Sequence, residues 1–579
     1  METGKDIERL VSKEELWSHV KTLNSLFRVS GLEDDFKAVD YVVSKLKEYG
    51  VDHEVLKFQS YVSHPKKATI TAWLDCGEEK SYQCKTRAFS AVTPPEGLKA
   101  EIVYVPTSIP GTGIIGAISG GRVADADYDG YDVTNKIVLT QRGGPDGIAD
   151  AQKHGAAGVI QMWPVEEPVL HDMIVSPVWG TPTLEDMRDL IHIPVVQISH
   201  NNGVELMRSC EKGKTECVLT TDVDTQWREL RLPVATIRGN GDDADRYLLI
   251  GGHLDSWYEG ITDNATGNAA LLELARVFKL ASGSLNRSVK IAWWCGHSYA
   301  RYSGSTYFND FYWADLHKNC VGYINIDSPG VLNAVDYSKM TAMAGLEELV
   351  KEPVKHFTGT DPRIERPERC ADLSFNGGGI AAMYLLMGNL PPEEAFPSGG
   401  SAGGWWWHSE ADTIDKADPE RLALDTNIYA ASAWRMLREP IVPIKLTPIV
   451  QDVIDRLKEY DAALKGRFDL EPVKRKADAL LEKVRMFEKN IDSMDKGRAN
   501  TLILKVSKEL NQVLYTRTGK YSQDRAVPTP LLPGMYHSFA LDHYENSTKY
   551  EFIRTGLLRE RNRLYDSLDI CEEALDSPM

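Results

Sequence analysis

Tyr247-Leu248-Leu249-Ile250-Gly251-Gly252-His253-Leu254-Asp255-Ser256-Trp257 is the stretch that decides the fold. A short apolar run stops at a glycine pair and a histidine, the pattern of a buried strand delivering a polar side chain at its end. Two other segments behave alike: Cys320 to Ile326 runs into Asp327-Ser328, and Trp407-His408-Ser409 follows a glycine-rich stretch. In an open α/β sheet the carboxyl ends of strands converge on the binding crevice, so such distant segments meet there. The expectation is an α/β protein whose site gathers at strand ends.

Composition bounds that reading. With 579 residues, 42% hydrophobic and 26% charged, the chain has apolar content for buried cores and a length for about three or four domains. Its 84 acidic against 66 basic residues give a formal charge of -18, which argues against nucleic acid or an anionic membrane surface as the main partner. No apolar h-region opens the sequence at Met1 to Asp6, and no uninterrupted apolar stretch of about 18 residues occurs, so a cytoplasmic location is expected. Eight cysteines in no CxxC pair disfavour a zinc knuckle or redox motif; Cys76/Cys84 and Cys210/Cys217 would pair only in an oxidising compartment.

Outward from the central stretch, the spacing predicts a helix within Trp17 to Tyr49, with Val39, Val42, Val43 and Leu46 on one face and Gly50 as its stop. From about Ala68 to Ala235 short β-prone runs alternate with Gly and Pro, including Ile137-Val138-Leu139-Thr140 and Pro194-Val195-Val196-Gln197-Ile198-Ser199. This reads as a small β-rich domain inserted into a larger one. The α/β pattern resumes with a helix from Asn268 to Leu280 and a strand from Val289 to Trp294. Beyond Pro440 amphipathic runs at Val450 to Leu464, Val473 to Phe487 and Ile553 to Leu575 predict a helical tail.

His253, Asp263, Asp327 and His408 form a nitrogen and oxygen set suited to zinc, manganese or cobalt. An isolated histidine is more often a hydrogen-bonded core residue, but four candidates at strand ends outweigh that explanation. Asp255 is placed to orient the His253 ring or its surroundings. Asp263, after Glu259-Gly260 and before a helix, is positioned to bridge two ions. Ser398 to Gly404, before Trp405-Trp406-Trp407, suggests a loop delivering aromatics to the site, against the alternative that two of the three indoles pack in the core.

Gly251 to Trp257, Gly260-Ile261-Thr262-Asp263-Asn264-Ala265-Thr266-Gly267 and Trp407-His408-Ser409 resemble the zinc-binding motifs of metallopeptidase family 28, in its glutamate carboxypeptidase II and transferrin-receptor branch. The resemblance implies a zinc-aminopeptidase-like mixed sheet flanked by helices at 1–67 and 236–439, a protease-associated domain at 68–235, and a helical dimerisation-like domain at 440–579. It also implies that His253 and Asp327 bind one ion and His408 the other, with Asp263 bridging, and that the protein is a homodimer. Where the family carries a Glu-Glu pair, one base and one ligand, this chain has Cys295-Gly296-His297-Ser298-Tyr299-Ala300-Arg301 with no carboxylate, and Trp407 stands where the branch has Tyr.

The expected function is therefore a metal-dependent hydrolase whose metal-bound hydroxide attacks an amide or related carbonyl of a small peptide-like or cyclic substrate. One or two divalent ions, zinc before manganese or cobalt, are its expected cofactor. His297, or Ser298 by an alignment one residue different, stands in for the missing Glu, with Asp255 also catalytic; Arg301 and Trp407 bind substrate. The alternative is a catalytically silent binding or scaffold protein on the same architecture.

Overall fold

A computed structural model describes residues 7, 9–106, 128–396 and 399–576; Met1 to Asp6 and Ser398 lie outside them. The strands of the N-terminal half are β1 (Asp52–Trp73), β2 (Glu79–Tyr82), β3 (Lys85–Thr86), β4 (Leu98–Tyr104), β5 (Ile137–Thr140), β6 (Gly158–Met162), β7 (Val195–Ile198) and β8 (Glu216–Ile237). The site-bearing strands follow: β9 (Tyr247–His253), β10 (Ser288–Trp294), β11 (Cys320–Ile326), β12 (Lys339–Ala342), β13 (Arg363–Glu365) and β14 (Ala382–Leu385). Their order is β13-β12-β14-β11-β9-β10-β8-β4-β5-β6-β7-β3. β14, β11, β9 and β10 run parallel, while β8 closes that block antiparallel to β10.

β9 and β11 are buried along their whole length, which is why both read as unbroken apolar runs rather than alternating ones. The helix Thr266–Leu280 returns the chain from β9 to its parallel neighbour β10, the crossover that a parallel pair needs. Gly252 is needed at the strand end, because a Cβ there would collide with the Ile326 carbonyl of the neighbouring strand. β9 also extends to His253, beyond the apolar run that ends at Ile250.

β1 and β8 are a pair of 22-residue antiparallel arms, paired from Asp52↔Thr236 to Trp73↔Glu216 with a shift of register between Pro65 and Lys67. One end flanks β10; the other joins β4, and from there β5, β6 and β7 run parallel. Ile70, Leu139, Ile160, Val196 and Leu219 build a separate apolar core for that inserted unit. Beyond it, the C-terminal part is helical: Leu446–Leu464, Glu471–Asn490, Lys496–Tyr515 and Thr548–Asp576. The helix Lys496–Tyr515 was not marked by the sequence pattern, since its buried face includes Asn500, Ser507, Lys508, Asn511 and Gln512. Among the described residues no helix is long and apolar enough to cross a membrane, and all eight cysteines are unpaired.

The expected helix over Trp17 to Tyr49 is two helices, Lys13–Leu23 and Glu33–Glu48. The break has a physical cause in Arg28, a fully buried side chain that leaves the helical path to meet main-chain carbonyls. Its guanidinium donates to Leu254 (2.9 Å), Glu259 (2.9 Å) and Gly260 (2.9 Å), and back to Leu23 (3.1 Å). It thereby fixes the loop between His253 and Asp263. Arg28→Ala is expected to lower stability by about 3 kcal/mol or more, since each orphaned buried acceptor costs about 1–3 kcal/mol. A denaturant midpoint equal to the parent's would contradict this role.

Candidate metal centre

His253, Asp327 and His297 leave three adjacent parallel strands at their carboxyl ends, because β10, β9 and β11 are neighbours and Trp294 pairs with His253 in register. Asp263 arrives from the loop after β9. Ligand atoms of His253, Asp263 and Asp327 lie within 4.8 Å of one another, all buried, and this is the one such set of three among the described residues. Nε2 of His253 is 2.8 Å from Oδ1 of Asp263 and 3.6 Å from Oδ1 of Asp327. Oδ2 of Asp263 faces Nε2 of His408 at 3.2 Å, so its two oxygens point at two different imidazoles. The three-residue set does not extend to His408 or His297.

Both imidazoles are set for ligation. Nδ1 of His253 donates to the main-chain carbonyl of Asp255 at 2.8 Å, and Nδ1 of His408 to that of Asp172 at 2.8 Å. Nε2 of each ring is thereby the nitrogen turned towards Asp263 and towards a metal. Burial pushes the His253 imidazolium down, but the Asp327 and Asp263 carboxylates override it and hold it well above its usual range. Burial also opposes ionisation of Asp263, yet His253 and His408 keep its carboxyl well below the usual range. The residues present fit a divalent ion.

Asp255 does not orient the His253 ring with its carboxylate, which lies 3.9 Å from Nδ1; its carbonyl does that. The carboxylate instead accepts from the main-chain N–H of His297 (3.1 Å) and Ser298 (2.8 Å) and from the Ser30 hydroxyl (2.6 Å). It anchors the turn after β10. Gly296, at φ +71°, permits the sharp entry into that turn. Asp412 receives the N–H of Thr262 (3.0 Å) and of Asp263 (3.1 Å), and burial pushes its carboxyl up to about 7. Its position holds the Asp263 loop.

His297 stacks on His253 with ring centroids 3.9 Å apart and lines a cavity of about 190 Å³ that also reaches Asp263, Asp327 and His408. Ser298 is buried and does not line it. Nδ1 of His297 donates to Oδ2 of Asp372 at 2.8 Å, and the Ser305 hydroxyl donates to the other oxygen at 2.6 Å. Asp372 had no sequence signal beyond its place before a glycine-rich segment. Arg301 and Trp407 are both in the cavity wall; one guanidinium nitrogen of Arg301 already donates to the Ala526 carbonyl at 3.0 Å. Trp407 stacks on His408 at 3.7 Å, whereas Trp406 packs with Val331, Ala334 and Leu390 and donates to Thr262.

The inserted unit completes the site, which the sequence did not foretell. The N–H of Asp172 donates to the carbonyl of His408 (2.8 Å), reciprocating the ring contact. His171 donates to the Trp407 carbonyl at 2.6 Å and meets Glu167, which also accepts from Trp163 at 2.9 Å. Asp172 is held in turn by Lys85 (2.7 Å) and Tyr258 (2.8 Å). Met173 and Ile174 from this unit, and Ala526 and Pro528 from the C-terminal part, wall the cavity. Glu368 adds an exposed carboxylate to that wall.

Residues 234–432 match the family model of peptidase family M28, and residues 98–206 match that of the PA domain. A probable lipoprotein aminopeptidase of Mycobacterium tuberculosis is 28% identical over 328 residues, 55% of this chain and 59% of that protein. A probable glutamate carboxypeptidase of Zea mays is 26% identical over 277 residues, 43% of this chain and 36% of that protein. The chain thus spans little more than half, or less, of the length of these relatives. A solved structure described as a zinc aminopeptidase from Bacillus subtilis aligns with TM-score 0.56 at 18% identity, covering 74% of this chain and 96% of that one, a likeness of fold.

Proposed function

For a chain that carries an M28 peptidase region and a PA domain, we propose a metal-dependent hydrolase that cleaves an amide or related carbonyl in a small peptide-like or cyclic substrate, with His297 doing the proton transfer. The observation that carries this reading is the convergence of His253, Asp263 and Asp327, with Nδ1 of His253 held by the Asp255 carbonyl and Nε2 turned to the two carboxylates. The mixed nitrogen and oxygen donors suit zinc before manganese or cobalt, in keeping with the zinc aminopeptidase whose fold the chain shares. One ion held by His253, Asp263 and Asp327 is proposed to be tight. A second, with Asp263 and His408 as donors, is proposed to be weak, because among the described residues no third ligand joins them.

A divalent ion in this position supplies polarisation of a carbonyl and a bound water of pKa near about 7. The chain supplies the rest. Asp372 keeps a proton on Nδ1 of His297, so that Nε2 is available to take a proton and pass it to the leaving group. Asp263 holds its two oxygens towards both imidazoles, and Asp412 and Arg28 hold the loop that presents it. Trp407, Tyr384 and Leu386 give the cavity an apolar wall, and its small volume favours compact substrates.

The test is a panel of unblocked aminoacyl anilides, N-acylated dipeptides and cyclic dipeptides, assayed with zinc restored. Turnover of at least one class, abolished by chelation and regained with metal, is the expected result. A metal-loaded protein that binds members of the panel yet turns over none would favour the silent binding protein and sink the hydrolase.

A further inference from the structure

A second cavity, of about 350 Å³, lies at the seam between the α/β layer and the C-terminal helices. Its walls come from the helix Trp313–Asn319, the turn Asn376–Gly378 and the helix Lys496–Tyr515. Five cationic side chains line it, Arg246, Lys318, Lys505, Lys508 and Lys520, against the single carboxylate of Glu509. That excess runs against the whole chain, where acids outnumber bases 84 to 66. It is a local arrangement, not a consequence of composition.

Lys508 is the informative member. Only 6% exposed, it donates to the main-chain carbonyls of His317 (2.7 Å) and Leu316 (3.3 Å), and among the described residues no salt bridge joins it to a carboxylate. Burial pushes its ammonium down to about 8, with Cys320 and Asp315 opposing the shift and Arg246 adding to it. Two of the other cations are matched: Lys520 reaches Glu509 at 3.2 Å, and Arg246 reaches Asp243 at 3.1 Å. Nδ1 of His317, in the same wall, is buried without a hydrogen-bond partner. A buried cation without a salt-bridge partner and an orphaned ring nitrogen both cost free energy that a bound anion would recover.

We propose that this pocket binds a small organic phosphate, its phosphate group held by Lys318, Lys505, Lys508 and His317. The volume falls within the range of about 300–1,000 Å³ typical of small-molecule sites, more than a bare oxyanion needs. Leu504 and Ile570 offer an apolar wall for the organic part, and Glu509 an acceptor for its hydroxyls. Since the walls belong to both the α/β layer and the helical part, occupancy ties the two together and stabilises the fold. The pocket shares no lining residue with the metal-site cavity, so its occupancy is separable from catalysis.

Calorimetry and thermal unfolding at fixed ionic strength, with inorganic phosphate and ribose 5-phosphate as probes, test this. Both are expected to bind and raise Tm, ribose 5-phosphate more tightly. The double variant Lys318→Gln/Lys505→Gln, at two exposed positions, should weaken binding at least about tenfold with metal content unchanged. Lys508→Met should abolish binding where it folds. Absence of binding by either probe, or binding that survives the double variant but disappears in His408→Ala and so belongs to the metal centre, would overturn the proposal.

Discussion

Asp263→Asn is expected to remove the bound ion and reduce hydrolysis to background. Its two carboxylate oxygens face Nε2 of His253 at 2.8 Å and Nε2 of His408 at 3.2 Å, so this one residue contributes to every candidate metal position. An amide of the same shape is neutral, and its NH2 end cannot ligate. Altering even the partners of a metal ligand usually costs about 10–100-fold in affinity, so loss of a carboxylate that ligates directly should exceed about a hundredfold. The fold should survive, because Asp412 holds the main chain of this loop through the N–H groups of Thr262 and Asp263. Zinc titration of the variant checks the first effect and turnover the second. Parental affinity and parental turnover together would remove Asp263 from the centre.

His297→Ala should leave the metal in place and lower turnover by about 10²–10⁴-fold, the usual contribution of a positioned acid/base group. The loss should be largest for substrates with poor leaving groups such as amines, which need a proton delivered, and smallest for activated ones. Asp372→Ala should produce a smaller loss in the same order, because Asp372 acts only through the His297 ring it holds at 2.8 Å. Imidazole added to the His297→Ala protein should restore part of the rate. If His297→Ala hydrolyses every active substrate at the parental rate with unchanged metal content, His297 is neither base nor ligand, and Glu368 in the same wall becomes the candidate.

What could be read from the sequence was what local chemistry encodes. The runs ending at His253 and Asp327 announced buried strands with polar ends because parallel strands covered on both faces are uninterrupted and apolar. The helix read from Asn268, which begins two residues earlier at Thr266, and three of the four tail helices followed from periodicity in the same way. What could not be read is contact between segments far apart in the chain. The pairing of His297 with Asp372 spans 75 residues and that of His408 with Asp172 spans 236, and neither Asp carries a local motif. Asp255 misled because its carbonyl, common to every residue, does the work its carboxylate was expected to do. Arg28 was invisible as the break between two helices, since its partners are carbonyls after β9.

The centre as a whole is most directly tested by the metal content of protein purified without chelator, measured by elemental analysis before and after reconstitution with zinc. One tightly held divalent ion per chain is the predicted result, with any second equivalent lost on dialysis. No bound transition metal, even after reconstitution, would contradict a metal centre at His253, Asp263 and Asp327 and with it the hydrolase.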